Sequence, residues 1–151
     1  MKRPSIWAGL TVTAALLSAC GPEAEVGIKD ENTYAIYDED AELLGLHAVF
    51  ENAAEMPSDH VYAAYRINDS EIAEAANSDY FRFNLNPGQE DEERIMLDGR
   101  EQFAVSDGLE LSDYFPENSE DIEGAFTVLL LSKEGEIIDE LTIDRVSEID
   151  S

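Results

Sequence analysis

Apolar side chains return at every second position in five separate stretches of this chain. Leu44, Leu46, Ala48 and Phe50 alternate with Gly45, His47 and Val49, and Val61, Ala63, Tyr65 and Ile67 alternate with Tyr62, Ala64 and Arg66. Phe81, Phe83 and Leu85 bracket Arg82 and Asn84, and Phe126, Val128 and Leu130 bracket Thr127 and Leu129. Leu141 and Ile143 sit among Glu140, Thr142 and Asp144. A period of two matches the strand, whose successive side chains point to opposite faces, and does not match the 3.6-residue period of a helix. Phe126 to Leu131 is apolar on both faces and predicts a central strand. Only Ile72 to Ala76 has the composition for a helical turn.

Turn residues divide the strands. Asp98-Gly99 lies between Ile95-Met96-Leu97 and the stretch through Phe103 and Val105, which predicts a two-residue hairpin. Lys133-Glu134-Gly135-Glu136 predicts a second hairpin, and Asn68-Asp69-Ser70, Asn86-Pro87-Gly88 and Pro116-Glu117-Asn118 mark longer loops. Short strands at regular spacing predict an all-β protein. The expected fold is an antiparallel immunoglobulin-like β-sandwich of about seven or eight strands over residues 34–146, with a tail at 147–151. Phe81, Phe83, Phe103, Phe126, Val128, Leu130 and Leu141 are its expected core.

Ile95-Met96-Leu97-Asp98-Gly99, Phe103, Gly124-Ala125-Phe126-Thr127-Val128 and Ser132-Lys133-Glu134-Gly135 together resemble the last four strands of immunoglobulin-like domains in bacterial envelope lipoproteins. The resemblance spans about fifty residues and implies a sandwich. It implies no activity, because function lives in sites and not in folds. The disulfide and buried Trp of antibody domains are absent, since the one Trp is Trp7 and the one Cys is Cys20.

The N-terminus carries a different signal. Met1-Lys2-Arg3-Pro4 is basic, Ile6 to Leu17 is largely apolar, and Ser18-Ala19 precede Cys20-Gly21. This order reads as a secretory signal peptide over residues 1–19, too short for a spanning helix, which needs about 20 apolar residues. Leu17-Ser18-Ala19-Cys20 resembles the bacterial lipobox. The resemblance implies that Cys20 is the lipid-attachment residue and the mature N-terminus. It also implies export across the inner membrane and anchorage to an envelope membrane, the outer one in a Gram-negative host. Residues 21–33, polar with Gly and Pro, read as a tether between lipid and domain. Several acyl chains make such an anchor firm where one is marginal. Lipidation would also remove the difficulty of a lone free thiol in an exported protein.

Charge narrows the partners. The chain has 35 Asp and Glu against 9 Lys and Arg, and loss of Lys2 and Arg3 with the leader leaves 7 bases and a balance of −28. Such a surface repels phosphate backbones, so no nucleic-acid partner is expected. It also repels anionic headgroups, which leaves the acyl chains on Cys20 to hold the protein to the membrane. The acids are either a solvated, salt-adapted surface or a surface for a cation or a cationic protein partner in the envelope.

No catalytic signature is present. His47 and His60 are the only histidines; the first is expected on the solvent face of a strand and the second at a loop end. No nucleophile motif, zinc motif or phosphate loop occurs, so no catalytic residue, metal ligand or cofactor is expected. Asn84-x-Asn86-x-Gly88-x-Glu90 resembles a calcium loop but has its Gly one position early and Ile95 at the twelfth position. The acidic runs Glu90 to Glu93 and Asp113 to Glu123 are expected to share one end of the sandwich, where calcium could bridge them. The leading expectation is therefore a lipid-anchored, non-enzymatic accessory or binding domain of the cell envelope. A calcium-dependent binding module is the alternative, and a carboxylate-based hydrolase is the third reading.

Overall fold

A computed structural model describes residues 25–85 and 94–149. Cys20, Trp7, most of the Asn84–Glu90 pattern and the run Glu90 to Glu93 lie outside the described residues. Ten strands are described. They are β1 (Val26–Ile28), β2 (Tyr34–Asp38), β3 (Leu43–Asn52), β4 (Val61–Ile67), β5 (Tyr80–Arg82), β6 (Arg94–Ile95), β7 (Gln102–Leu109), β8 (Phe126–Ser132), β9 (Ile137–Thr142) and β10 (Val146–Glu148). One short helix, α1 (Ser70–Ala75), follows β4 and is N-capped by Asp69, whose carboxylate accepts from the Glu71 and Ile72 N–H groups.

The strands form two sheets. In the first, β3 pairs with β7 along one edge, while β1 and β2 follow one another along the other edge. In the second, β4 pairs with β8 and then β9 on one side, and with β5 and β6 in tandem on the other. Thus β1 and β2 are halves of one broken strand, as are β5 and β6. Counted that way, the sandwich has eight strands in the immunoglobulin-like order.

One pair departs from the antiparallel pattern. After β9 the chain crosses between sheets at residues 143–145, and β10 runs parallel to β2. The Arg145 guanidinium fixes this crossover by binding the carbonyls of Asp30 and Glu31 and the Asp30 carboxylate, while the Ala35 N–H bonds the Arg145 carbonyl at 2.9 Å. Residues 26–28, expected in the tether, and 147–148, expected in the tail, therefore belong to the first sheet. Val26 is buried there.

The Asp98-Gly99 turn is real but is not a hairpin. β6 belongs to the second sheet and β7 to the first. The turn arches between them and closes on itself through the Glu101 N–H, which bonds the Asp98 carbonyl. Gly99 is needed for close approach, because a Cβ there would lie 2.0 Å from the Glu55 carbonyl oxygen. Asn52, 1% exposed, knits the same region together. Its side-chain nitrogen lies 2.7 Å from the Met56 carbonyl oxygen, 3.1 Å from that of Asp98 and 3.3 Å from that of Leu97.

The expected alternation places the core. Leu44, Leu46, Ala48, Phe50, Val61, Ala63, Tyr65 and Ile67 are buried, as are Phe83, Phe126, Val128 and Leu130. Phe81, Phe103 and Leu141 are only half-buried. They sit on β5, β7 and β9, edge strands with a neighbour on one side only among the described residues. Leu129 and Leu131 are buried on the outer face, where Tyr62 and Ala64 join them, so β8 is central as expected. Tyr65 is the aromatic hub, with ring centroids 5.4 Å from Phe81, 4.9 Å from Phe83 and 6.5 Å from Phe126. Phe50 meets Phe83 edge-on at 6.5 Å and joins the sheets; such pairs add about 0.5–1.5 kcal/mol beyond burial.

Candidate functional site

The two ends of the sandwich differ. At one end the 39–42, 68–79, 110–125 and 143–145 connections gather. There the termination of β2, the 116–122 segment and the end of β10 enclose a cleft of about 570 Å³. Its walls carry Tyr37, Glu39, Asp40, Glu117, Glu120 and Glu148.

Local chemistry builds it. Tyr37 is an inward residue of β2, 5% exposed, with its ring stacked on Phe115 at 5.4 Å. Its hydroxyl donates to the Pro116 carbonyl at 2.9 Å and pins the acidic loop to the sheet. Burial, then the charges of Glu39, Asp121, Glu148 and Glu117, push the phenol above its usual range. It therefore stays a donor at neutral pH. The Ser119 hydroxyl donates to the Glu148 carboxylate and ties the short 3-10 turn at Ser119–Ile122 to β10. A neighbouring cleft of about 410 Å³ is lined by Glu42, Asp113 and Tyr114. Glu42 and Asp113 hold φ at 49° and 62°, left-handed values that cost a side-chain-bearing residue roughly 1–2 kcal/mol.

The five carboxylates of the larger cleft are all solvent-exposed. They present dense negative charge to a cation or a cationic chain, and among the described residues no histidine lines the cleft. Among the described residues no group of three His, Cys, Asp or Glu side chains is placed to hold a metal ion.

The sequence-derived candidates fall apart in space. His47 is half-buried on the outer face of the first sheet, with Nδ1 2.8 Å from the Ser106 hydroxyl and its ring 4.9 Å from Tyr34. His60 precedes β4 at the opposite end from the cleft, beside Asp59. The Asp59 carboxyl is held below the usual carboxylate range by its hydrogen bond from Lys133, at 2.8 Å. The expectation that the two acidic runs share an end falls on Glu90 to Glu93, which lie outside the described residues. β5 stops opposite Ala64 and β6 starts opposite Tyr62, so the residues flanking 86–93 lie along one edge of β4. The 110–125 connection closes the far end. The cleft instead joins that connection to Tyr37, Glu39, Asp40 and Glu148. Its signal was hidden because it depends on the β2–β10 register.

Among the described residues no helix is long and apolar enough to cross a membrane. No known protein family matches the chain, and neither does any curated protein. Solved structures match in part. An alkylpurine DNA glycosylase of Pseudomonas fluorescens, bound to DNA containing an abasic site analogue, is 15% identical over 82% of this chain and 31% of its own, with a TM-score of 0.44. A β-glucosidase of Bifidobacterium adolescentis is 12% identical over 85% of this chain and 19% of its own, with a TM-score of 0.40. A β-glucosidase of Listeria innocua in complex with glucose is 11% identical over 84% of this chain and 17% of its own, with a TM-score of 0.38. The chain thus spans less than a third of each of these proteins.

Proposed function

We propose that this chain is a lipid-anchored, non-enzymatic binding or accessory domain of the bacterial cell envelope. It is exported across the inner membrane, cut before Cys20 and acylated there; in a Gram-negative host the outer membrane holds it. The observation that carries the reading is the order of residues in the sequence. Lys2-Arg3, the apolar stretch Ile6 to Leu17 and the tetrapeptide Leu17-Ser18-Ala19-Cys20 all precede Val26, where the first described strand begins. Cleavage before Cys20 would leave the sandwich whole and would set it directly behind the anchor.

The binding half of the reading rests on the cleft. Its five carboxylates are exposed to solvent. Their arrangement suits attraction of a cationic partner, since summed charge steers encounters.

Mass spectrometry of the protein from its native envelope tests the anchor. The expected mature chain begins at Cys20 and carries acyl chains, and Cys20→Ser yields a released or unprocessed form. An unmodified mature chain with another N-terminus would overturn the proposal.

A further inference from the structure

The end of the sandwich opposite the acidic cleft is the end where the chain enters the fold. Val26 pairs with Asn52, the last residue of β3. At the same level β4 and β7 begin, β8 ends and β9 begins. The Glu25 carbonyl already accepts from the Ala53 N–H at 3.0 Å, so Glu25 is fixed to this end. Only residues 21–24 separate it from Cys20. At about 3.3–3.6 Å per residue, the lipidated residue lies within about 18 Å of Glu25. A strand of ten residues such as β3 is about 33 Å long. An anchor at Cys20 therefore reaches this end and falls well short of the other.

This end also carries exposed apolar surface. Met56 is 55% exposed, Met96 53%, Ile137 55% and Ile138 44%, while Leu43, Tyr80 and Ile149, at 40%, 42% and 48%, are scattered among the acids towards the cleft end. The first four belong to one structural platform. Asn52 links the Met56 carbonyl to the 97–98 backbone, and the Lys133–Asp59 ion pair links the β8–β9 turn to the 53–60 connection.

Charge points the same way. The far-end connections hold three carboxylates in 39–42, four in 68–79, six in 110–125 and one in 143–145, against the single base Arg145. The near-end connections 53–60, 96–101 and 133–136 hold two carboxylates each, against Arg100 and Lys133. Both of these bases are paired across the platform, Arg100 with Glu55 and Lys133 with Asp59. An anionic leaflet repels the far end much more strongly than the near one.

We infer that the face formed by 53–60, 96–101 and 133–138 rests on the bilayer that holds the Cys20 acyl chains. Met56, Met96, Ile137 and Ile138 contact the headgroup boundary, and the acidic cleft is held away from the surface. The inference rests on the proposed anchorage. It adds an orientation and a second contact that acylation alone does not supply. Interfacial contacts of this kind bury apolar side chains a few ångströms into the headgroup region.

The test uses the full lipidated protein in vesicles of phosphatidylethanolamine and phosphatidylglycerol. With the Cys20 thiol acylated, an introduced cysteine is the only free thiol. Met56→Cys, Met96→Cys, Glu42→Cys and Asp121→Cys are each labelled with an environment-sensitive fluorophore and challenged with headgroup-level spin-labelled lipid. These positions are exposed, so labelling spares the fold. The expected result is several-fold stronger quenching at positions 56 and 96 than at 42 and 121. Equal quenching at both ends, or none at 56 and 96 while the protein sediments with vesicles, would overturn the orientation and leave the anchor standing. Failure to sediment, with Cys20 unmodified by mass, would overturn both. A concentration-dependent blue shift at 56 and 96 in the non-lipidated Cys20→Ser protein would assign the face to a second copy instead.

Discussion

Tyr65→Phe is a deletion of one oxygen from the centre of the sandwich, and its effect on stability should change with pH. Tyr65 is 1% exposed, and its hydroxyl donates to the Asp107 carboxylate at 2.8 Å. Asp107 lies on the inward side of the edge strand β7, in line with Phe103, Val105 and Leu109. An inward charge on an edge strand discourages pairing with another molecule, but it needs a partner in the fold. Phe preserves the ring contacts with Phe81, Phe83 and Phe126 and removes only the donor. A hydrogen bond to a charged group contributes about 1.5–3 kcal/mol, and the half-exposed carboxylate points to the lower part, about 2 kcal/mol at neutral pH. The wild-type phenol is raised well above the ordinary value of 10.0, first by burial and then by the Asp107 hydrogen bond and charge. A raised pKa gives stability that is complete below the unfolded value and is lost as pH rises past it. Above pH 10 the unfolded chain releases this proton and the folded chain keeps it, so wild type loses about 1.4 kcal/mol per pH unit from this group, or about 2 kcal/mol by about pH 11.5. The Phe variant has no such proton. Tyr37 and Tyr114 are raised as well, but they are present in both proteins and cancel in the difference. Urea unfolding followed by far-UV circular dichroism, at fixed salt, should show a gap of about 2 kcal/mol at about pH 8 that closes by about pH 11.5. A gap that stays constant across that range, or is absent at pH 8, would refute the account of Tyr65.

Two further outcomes follow from the described contacts. Asn52→Ala should cost about 2–3 kcal/mol in urea unfolding, because it strands the carbonyls that converge on one buried amide; a loss under about 0.5 kcal/mol, the usual size for a surface change, would show that the loops hold without it. Sodium and calcium at equal ionic strength should raise the melting temperature alike, since screening of the −28 balance depends on a Debye length of ~10 Å at 0.1 M. Stabilisation by calcium at micromolar to millimolar levels, lost in Asp121→Asn, would instead establish a specific site.

The parts of the fold legible in the sequence are those set by local patterning. Period-two alternation marked β3, β4 and β8 and the inward sides of each, because a one-residue slip would turn a whole apolar set to water. Edge effects were not legible. Nothing in Phe81, Phe103 or Leu141 says that one flank of its strand is open, and so their burial was overstated. Asp98-Gly99 has the sequence of a hairpin because turn chemistry specifies the bend and not the sheet to which each flank belongs. The deciding contacts, from Asn52 and from Glu55 onto Gly99, come from about 45 residues upstream. The acidic cleft was half visible in the run from Asp113 to Glu123. Its other wall depends on β10, where Val-Ser-Glu is too short to show any period.

The pairing of β10 with β2 has a consequence for how and where the domain can acquire its shape. Residues 146–148 lie opposite residues 35–37, so β2 waits for a partner more than a hundred residues downstream. Arg145 must reach back to Asp30 and Glu31 to turn the chain between the sheets. Pairings this distant in sequence close slowly, because the loop entropy is lost before the contact is gained. A chain emerging N-terminus first therefore cannot complete its first sheet until residue 148 has left the ribosome. Under the proposed route of export this delay has a use. The polypeptide would arrive at the translocation channel still extended, and the sandwich would close on the far side of the membrane, after β10 had passed through.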